Sequence, residues 1–180
     1  MGYGTVSRLF HWATVLIVFI MIPVGLTMVQ DVPKPTRDKL FILHKGLGAV
    51  FLVLILARLA WRLGHPPPPP PADMPRAQRR AAATVHALLY LVLLVMAVSG
   101  YVRVTTGGFP IELLNALGVP PLLPKDEAVS KIASGIHDAG KTLLIILIAL
   151  HIGAALYHGL ARRDGILARM WPPWPRRSGV

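Results

Sequence analysis

The sequence contains no cysteine among its 180 residues. Disulfide bonds, thiolate ligation of a metal and cysteine-bound iron–sulfur clusters are therefore excluded. Any redox site in this chain has to use histidine or methionine ligands. Charged residues are also scarce, at 15% of the chain, whereas 54% of the residues are hydrophobic. This composition is too apolar for an ordinary soluble domain and predicts a single integral membrane domain over residues 1–180.

Four apolar segments are long enough to cross the hydrocarbon core of a bilayer, which takes about 20 helical residues. They cover approximately residues 9–29, 41–61, 82–104 and 132–160. A proline-rich loop, 64–76, joins the second segment to the third, and a longer outer loop, 105–131, precedes the fourth. We expect an all-α membrane protein built as a four-helix bundle, because helices satisfy their own backbone polar groups within the bilayer.

Basic residues are distributed unevenly between the two ends of this predicted bundle. With four spans both termini lie on one side, which carries eleven arginines against two aspartates, a balance of +9. The opposite side carries eight basic and six acidic residues, a balance of +2. The positive-inside rule then places both termini and the proline-rich loop in the cytoplasm. The net charge of +11 is thus a topology signal. Membrane lipid is the expected partner, and nucleic acid is not.

The fourth apolar segment contains two histidines, His137 and His151, fourteen residues apart. Fourteen helical steps bring the second ring to within about 40° of the first and place it about 21 Å further along the axis. Both imidazoles therefore face the same neighbouring helices at two depths of the bilayer. Ionisable side chains inside a membrane span indicate a functional site.

Two further histidines, His11 and His44, lie near the starts of the first and second segments and match these depths. His11 lies at the inner level of His151, and His44 lies at the outer level of His137. Two stacked bis-histidine sites follow from this spacing and topology. Zinc and copper sites usually need three or four ligands, and neither pair has an obvious third donor. Haem iron needs only two axial ligands, so two haems are the favoured interpretation.

Several motifs then point to a family: HWATVLIVF at His11, LHKGLG at His44, ARLAWRL, VHALLYLVLLVMAVSGY and the spacing of His137 and His151. Together they resemble the bacterial cytochrome b561 family, of which superoxide oxidase is one member type, over nearly the whole chain. The resemblance implies two haem b groups, with His11 and His151 ligating the inner haem and His44 and His137 ligating the outer one. It also implies a bacterial inner membrane.

The activity implied by this resemblance is electron transfer from the periplasmic side to membrane quinone, most specifically the oxidation of superoxide with ubiquinone as acceptor. Related b-type subunits of hydrogenases and formate dehydrogenases share the four-histidine plan. The alternative function is therefore an electron-transfer subunit that takes electrons from a docked dehydrogenase or hydrogenase. A more remote alternative is a membrane scaffold or transporter without haem.

Basic side chains at both levels are candidates for contacting haem propionates. At the outer end these are Lys45 and Arg103, which also belong to a basic rim that would attract an anionic donor. At the inner end they are Arg8, Arg58 and Arg62. Lipid phosphates are the competing partners of each of them.

Two other histidines, His86 and His158, are candidates for an inner quinone site, because imidazoles can hydrogen-bond quinone carbonyls and pass protons. A structural role is equally compatible with the sequence. His158 lies seven residues after His151 and faces nearly the same way, so it is also an alternative inner ligand. The C-terminal tail, RMWPPWPRR, pairs tryptophan with arginine and is expected to lie at the membrane interface.

Overall fold

The structure is a computed structural model that describes residues 2–171. Within this range the chain forms five α-helices and no β-strand. The helices are α1 Thr5–Thr27, α2 Lys34–Gly64, α3 Arg76–Thr106, α4 Glu112–Ala116 and α5 Glu127–Leu156. The all-α prediction with four long helices is confirmed, since α4 is a short helix within the loop between α3 and α5. Most of the tail expected at the membrane interface, residues 172–177 of RMWPPWPRR, lies outside the described range.

The four long helices are each long and apolar enough to span a membrane, judged by length and composition. Several extend beyond the apolar segments because polar turns at their ends remain helical. α2 begins at Lys34, directly after Pro33. α5 begins at Glu127, where the side chain of Asp126 accepts a hydrogen bond of 3.0 Å from the Val129 amide and caps the helix.

The helices pack as two pairs. α1 lies along α2, and α3 lies along α5, while α2 also contacts α3. Among the described residues, α5 makes no comparable contact with α1 or α2. A buried apolar cluster that includes Phe51, Ile55, Leu93 and Leu144 fills the middle of the bundle. Between α5 and the α1–α2 pair, therefore, side chains rather than closely packed backbones span the gap.

The two ends of the bundle differ in how they are closed. We call the end with both termini and the α2–α3 connection the inner end, and the opposite end, which includes α4, the outer end. At the inner end α5 continues into a π-helical turn, Tyr157–Arg162. The chain then folds back, so that the Arg169 side chain donates to the Pro69 carbonyl at 2.6 Å and the Tyr3 amide donates to the Arg169 carbonyl at 3.2 Å.

Candidate functional site

Four histidines form two facing pairs across the gap between α5 and the α1–α2 pair. In the outer pair, the ring centroids of His44 in α2 and His137 in α5 are 6.3 Å apart, with the ring planes at 85°. In the inner pair, the centroids of His11 in α1 and His151 in α5 are also 6.3 Å apart, with the planes at 51°. α5 thus contributes one ring to each pair.

The separation within each pair suits a single metal ion held by two imidazoles. A ring nitrogen lies about 1 Å from the ring centre, and a metal–imidazole bond is about 2 Å, so two rings on one metal have centroids about 6 Å apart. Within residues 2–171, no group of three or more histidine, aspartate or glutamate side chains is arranged to bind a metal ion. Each pair is therefore suited to supply two imidazole ligands to one metal ion, without a third protein ligand from residues 2–171.

Glycines make room for both outer rings. A Cβ atom on Gly25 in α1 would lie 3.0 Å from Cε1 of His44, and one on Gly100 in α3 would lie 3.1 Å from Cε1 of His137. Nδ1 is the next closest ring atom in both cases, at 3.4 Å. The Nδ1–Cε1 edge of each ring is thus pressed against a neighbouring helix. Close approach of this kind needs a residue without a side chain.

An open cavity of about 840 Å³ surrounds the outer pair. His44, His137, Gly25 and Gly100 all line it, together with mostly apolar side chains from α1, α2, α3 and α5. Its volume lies within the range of about 300–1,000 Å³ that is common for sites of small molecules and cofactors. The outer end therefore has both the paired ligands and the space for a flat cofactor between them.

Charged side chains line the same cavity, and most of the cations among them have an acidic partner. Lys45 lies 2.8 Å from Glu112, and Lys141 lies 3.8 Å from Asp138. Arg103 is half-buried in the cavity wall, and its side chain has no hydrogen bond or ion pair within residues 2–171. It is close enough for its charge to act on both His44 and His137. Of the two outer candidates, Arg103 is therefore the cation available to a bound anion.

Lys45 instead fastens α4 to α2. Its Nζ donates to the Pro110 carbonyl at 2.6 Å and to Oε1 of Glu112 at 2.8 Å. Burial alone would raise the pKa of the Glu112 carboxyl, but the hydrogen bond and charge of Lys45 outweigh it and hold this pKa below its usual value. The pair ties the outer loop to the helix turn that contains His44.

At the inner level, a third histidine joins the pair. The ring of His86 in α3 contacts that of His151 edge-on, with centroids 5.2 Å apart. Arg58 lies nearby but is already bonded, because its guanidinium donates to Thr14 Oγ1 at 2.9 Å and to the Tyr90 hydroxyl at 3.1 Å. The structure thus places His86 beside the inner pair and uses Arg58 to join α1, α2 and α3.

His158 lies apart from the inner pair. Its Nδ1 is 2.5 Å from Oδ2 of Asp164 in the segment that folds back after α5. Burial alone would raise the pKa of Asp164, but the hydrogen bond with His158 outweighs it and, with the charge of Arg162, keeps this pKa below its usual value. Within residues 2–171, His158 makes no ring contact or hydrogen bond with His11 or His86. This arrangement favours His151 as the ring opposite His11.

A residue that the sequence did not single out contacts the outer pair. Ser99 in α3 is buried, and its Oγ lies 3.2 Å from Nδ1 of His137. The contacts of Gly25 and Gly100 with the outer histidines likewise become apparent only from the packing of the helices. Their one sequence signal is a small residue within an apolar span, which is common in membrane helices for other reasons. By contrast, a Cβ atom on Gly46 or Gly48, next to His44, would make only an ordinary contact of 3.7 Å, with Leu113 and Met21 respectively.

Comparison with known proteins identifies the family. A family model described as prokaryotic cytochrome b561 matches residues 2–173. This chain belongs to the prokaryotic cytochrome b561 family. Cytochrome b561 homolog 2 of Escherichia coli (strain K12) is 32% identical over 169 residues, which cover 93% of this chain and 90% of that protein. Cytochrome b561 homolog 1 of the same organism is 29% identical over 164 residues, covering 90% and 92%.

As a member of the cytochrome b561 family, this chain is a multi-pass membrane protein that functions in electron transfer. Members of the family typically bind b-type haem. The residues present fit that group. In each pair two imidazoles face each other at the spacing of axial ligands, and in the outer pair glycines give room to the opposite, Nδ1–Cε1 edges of the rings. The Nδ1 atom of His11 is buried without a hydrogen-bond partner within residues 2–171, as expected for a ring that is kept in place by a requirement other than hydrogen bonding.

Proposed function

We propose that this protein is a dihaem cytochrome b that passes electrons from the periplasmic side of the bacterial inner membrane to membrane quinone. His44 and His137 ligate the outer haem, and His11 and His151 ligate the inner one. The observation that supports this most directly is the pair of matching separations of 6.3 Å at two levels of one helix. Haem iron supplies a one-electron couple whose potential depends on axial ligands, burial and nearby hydrogen bonds.

Superoxide is the proposed electron donor. Two superoxide anions lose one electron each and leave as dioxygen, and one ubiquinone takes up the two electrons and two protons to become ubiquinol. Arg103 supports an anionic donor, because it is a half-buried cation in the cavity wall without an acidic partner in the described residues. A cation in a cleft with low-dielectric walls raises the local concentration of small anions and their association rate.

The inner end is the proposed site of quinone reduction. His86 supports this, because its ring contacts His151 and yet remains exposed beside the inner pair. An exposed imidazole next to the inner ligand can hydrogen-bond a quinone carbonyl and deliver a proton from the cytoplasm. His158 fits this role less well, since it is bonded to Asp164. Both termini lie in the cytoplasm in this proposal, on the side with the larger excess of arginine.

The decisive experiment mixes the purified, haem-loaded protein with a superoxide source and a short-chain ubiquinone while haem absorbance is recorded. We expect haem reduction that persists with catalase and disappears with superoxide dismutase, followed by ubiquinol formation. Arg103→Gln should slow superoxide-dependent reduction by about tenfold or more at low ionic strength, given the usual size of electrostatic steering. Rates are normalised to the haem content of each variant.

Lys39→Gln is the matched control, because Lys39 is an exposed outer cation that does not line the cavity. It should leave the rate nearly unchanged. Absence of haem reduction by superoxide would reject the donor and favour a cytochrome b subunit reduced by a docked dehydrogenase or hydrogenase. A purified protein with no b-type absorbance after haem supplementation would reject the dihaem assignment itself.

A further inference from the structure

Ser99 in α3 makes two hydrogen bonds at the outer site. Its Oγ lies 3.2 Å from Nδ1 of His137 and 3.3 Å from the backbone carbonyl oxygen of Met96. The residue is 6% exposed, so water does not compete for either contact. Axial ligation alone requires only an imidazole nitrogen and gives no reason for a hydroxyl group at this position.

The two contacts of Ser99 act together with the adjacent Met96 carbonyl, which also bonds the His137 ring, to place the proton of that ring. A serine hydroxyl has one proton to donate and lone pairs with which to accept. Both contacts are hydrogen bonds at the same time only if the hydroxyl donates to the Met96 carbonyl and accepts from Nδ1–H of His137. The proton of the neutral ring is then on Nδ1, and the lone pair is on Nε2. Because Gly100 covers the Nδ1–Cε1 edge, Nε2 is the nitrogen left for a metal.

We infer that Ser99 is a positioning residue that fixes the tautomer and ring plane of His137 and thereby lowers the midpoint potential of the outer haem. The inference rests on the proposed ligation by His137. A hydrogen bond accepted from the distal ring N–H makes the ligating nitrogen more basic. A more basic ligand stabilises ferric over ferrous iron. The same bond opposes ring rotation and so maintains the angle of 85° between the His44 and His137 planes.

Redox titration of Ser99→Ala tests this role. At a fixed ambient potential, the ferrous-to-ferric ratio of the outer haem should increase about 3- to 10-fold, which is about 30–60 mV for a one-electron couple. The inner haem should titrate as before. The low-spin ferric EPR signal of the outer haem should also change, because its g anisotropy depends on the angle between the two ligand planes.

Ser134→Ala is the matched control. Ser134 lines the same cavity and lies three residues before His137, but its hydroxyl donates to the Ser130 carbonyl of its own helix. Its removal should change neither the potential nor the EPR signal. Ser99→Thr retains the hydroxyl and should restore both toward the native values. Ser99→Cys, of nearly the same size but a weaker acceptor, should shift the potential in the same direction as Ser99→Ala and provides the test if alanine impairs haem retention.

Unchanged potential and EPR signal in both Ser99→Ala and Ser99→Cys would overturn the inference, as would an equal shift in Ser134→Ala. His137→Ala separates this failure from failure of the proposed ligation. If His137→Ala loses the outer haem while the Ser99 variants titrate normally, ligation stands and only the role of Ser99 is rejected. If His137→Ala retains both haems with their native spectra, the ligand assignment is wrong.

Discussion

The outer histidines are each held from one side and free on the other. Gly25 faces one edge of His44, and Gly100 faces the corresponding edge of His137. A side chain at either glycine would have to displace a ring that is already in close contact, at a cost of about 1–3 kcal/mol for overpacking. α1 and α3 therefore shape the outer site, although both outer histidines come from α2 and α5.

In the proposed dihaem assignment, replacing one outer histidine should remove one of the two haems. We expect His44→Ala or His137→Ala to lose about half of the b-type haem, because the outer level has no third histidine within residues 2–171 and the inner pair lies about 21 Å away along α5. Haem content per protein and the reduced absorbance spectrum measure the result. The remaining haem should retain the inner signal.

His158→Ala is the control for the inner ligands and tests the alternative assignment. Since His158 is bonded to Asp164, this variant should retain both haems, whereas His151→Ala should lose the inner one. Loss of the inner haem in His158→Ala but not in His151→Ala would mean that His158, and not His151, is the inner ligand. Retention of both haems in His44→Ala and in His137→Ala would contradict the outer pairing.

The facing histidines were predictable from the sequence, whereas their supporting residues were not. Spacing along one helix and depth in the bilayer suggested that His11 lies opposite His151 and His44 opposite His137, and the structure brings these rings together. The contacts of Ser99 and Gly100 depend on the rotation and register of α3 against α5. An apolar helix without strong periodicity contains little information about either.

At the scale of the elements, the side chain of Lys45 in α2 makes the polar contacts that hold α4 at the mouth of the outer cavity. Lys45 bonds both Glu112 at the start of α4 and the Pro110 carbonyl just before it. The side chain of Lys45 is 13% exposed and that of Glu112 is 38% exposed, so the ion pair is only partly shielded from solvent. An ion pair of this kind contributes modestly to the stability of α4, and its contribution depends on pH.

Acidification should loosen α4. Because Glu112 has a pKa below its ordinary value of 4.5 in the folded protein, its pairing stabilises α4 above that pH and is lost as the pH falls through the lowered value. Hydrogen exchange, corrected for intrinsic rates, should show protection of Glu112–Ala116 declining in that range. Glu112→Gln should lower this protection about two- to fivefold at neutral pH and remove its acid dependence, as expected for a partly exposed ion pair.

Asp38→Asn serves as the control for α4. Asp38 pairs with Lys34 within α2 at 2.6 Å and makes no ion pair with α4, so exchange in α4 should not change. An acid dependence in Glu112→Gln equal to that of the native protein would assign the effect to another group.

The long helices themselves were largely predictable, because a span needs about 20 apolar residues and the chain has four such runs. Their ends were not, since hydropathy stops at the membrane boundary while the helix continues. α2 starts at Lys34 and α3 at Arg76, each several residues before its apolar segment. The fold-back of residues 163–171 was not foreseen either, because it depends on contacts with distant parts of the chain such as Tyr3 and Pro69.

For the whole molecule, the charge distribution predicts its orientation. A fluorescent protein fused after Val180 should fold and fluoresce, because the balance of +9 on that side predicts a cytoplasmic C-terminus. Alkaline phosphatase fused after Gly118, in the outer loop, should be active, because it reaches the periplasm. Fluorescence and phosphatase activity in intact bacteria provide the measurement.

Exchanging the two reporters is the control for this orientation. Alkaline phosphatase after Val180 and the fluorescent protein after Gly118 should both be inactive at matched expression levels. Activity in these exchanged fusions, with none in the original ones, would place both termini in the periplasm and would also reverse the assignment of the outer and inner histidine pairs.

α5 supplies one histidine to each pair and is also the last of the long helices in the chain. A ribosome has therefore completed α1, α2 and α3 before either pair of rings can exist. His11 and His44 are therefore synthesised before their partners, and His137 and His151 follow in that order. In the proposed assignment, neither haem site is complete until α5 has been synthesised, and a chain interrupted before α5 lacks one histidine of each pair.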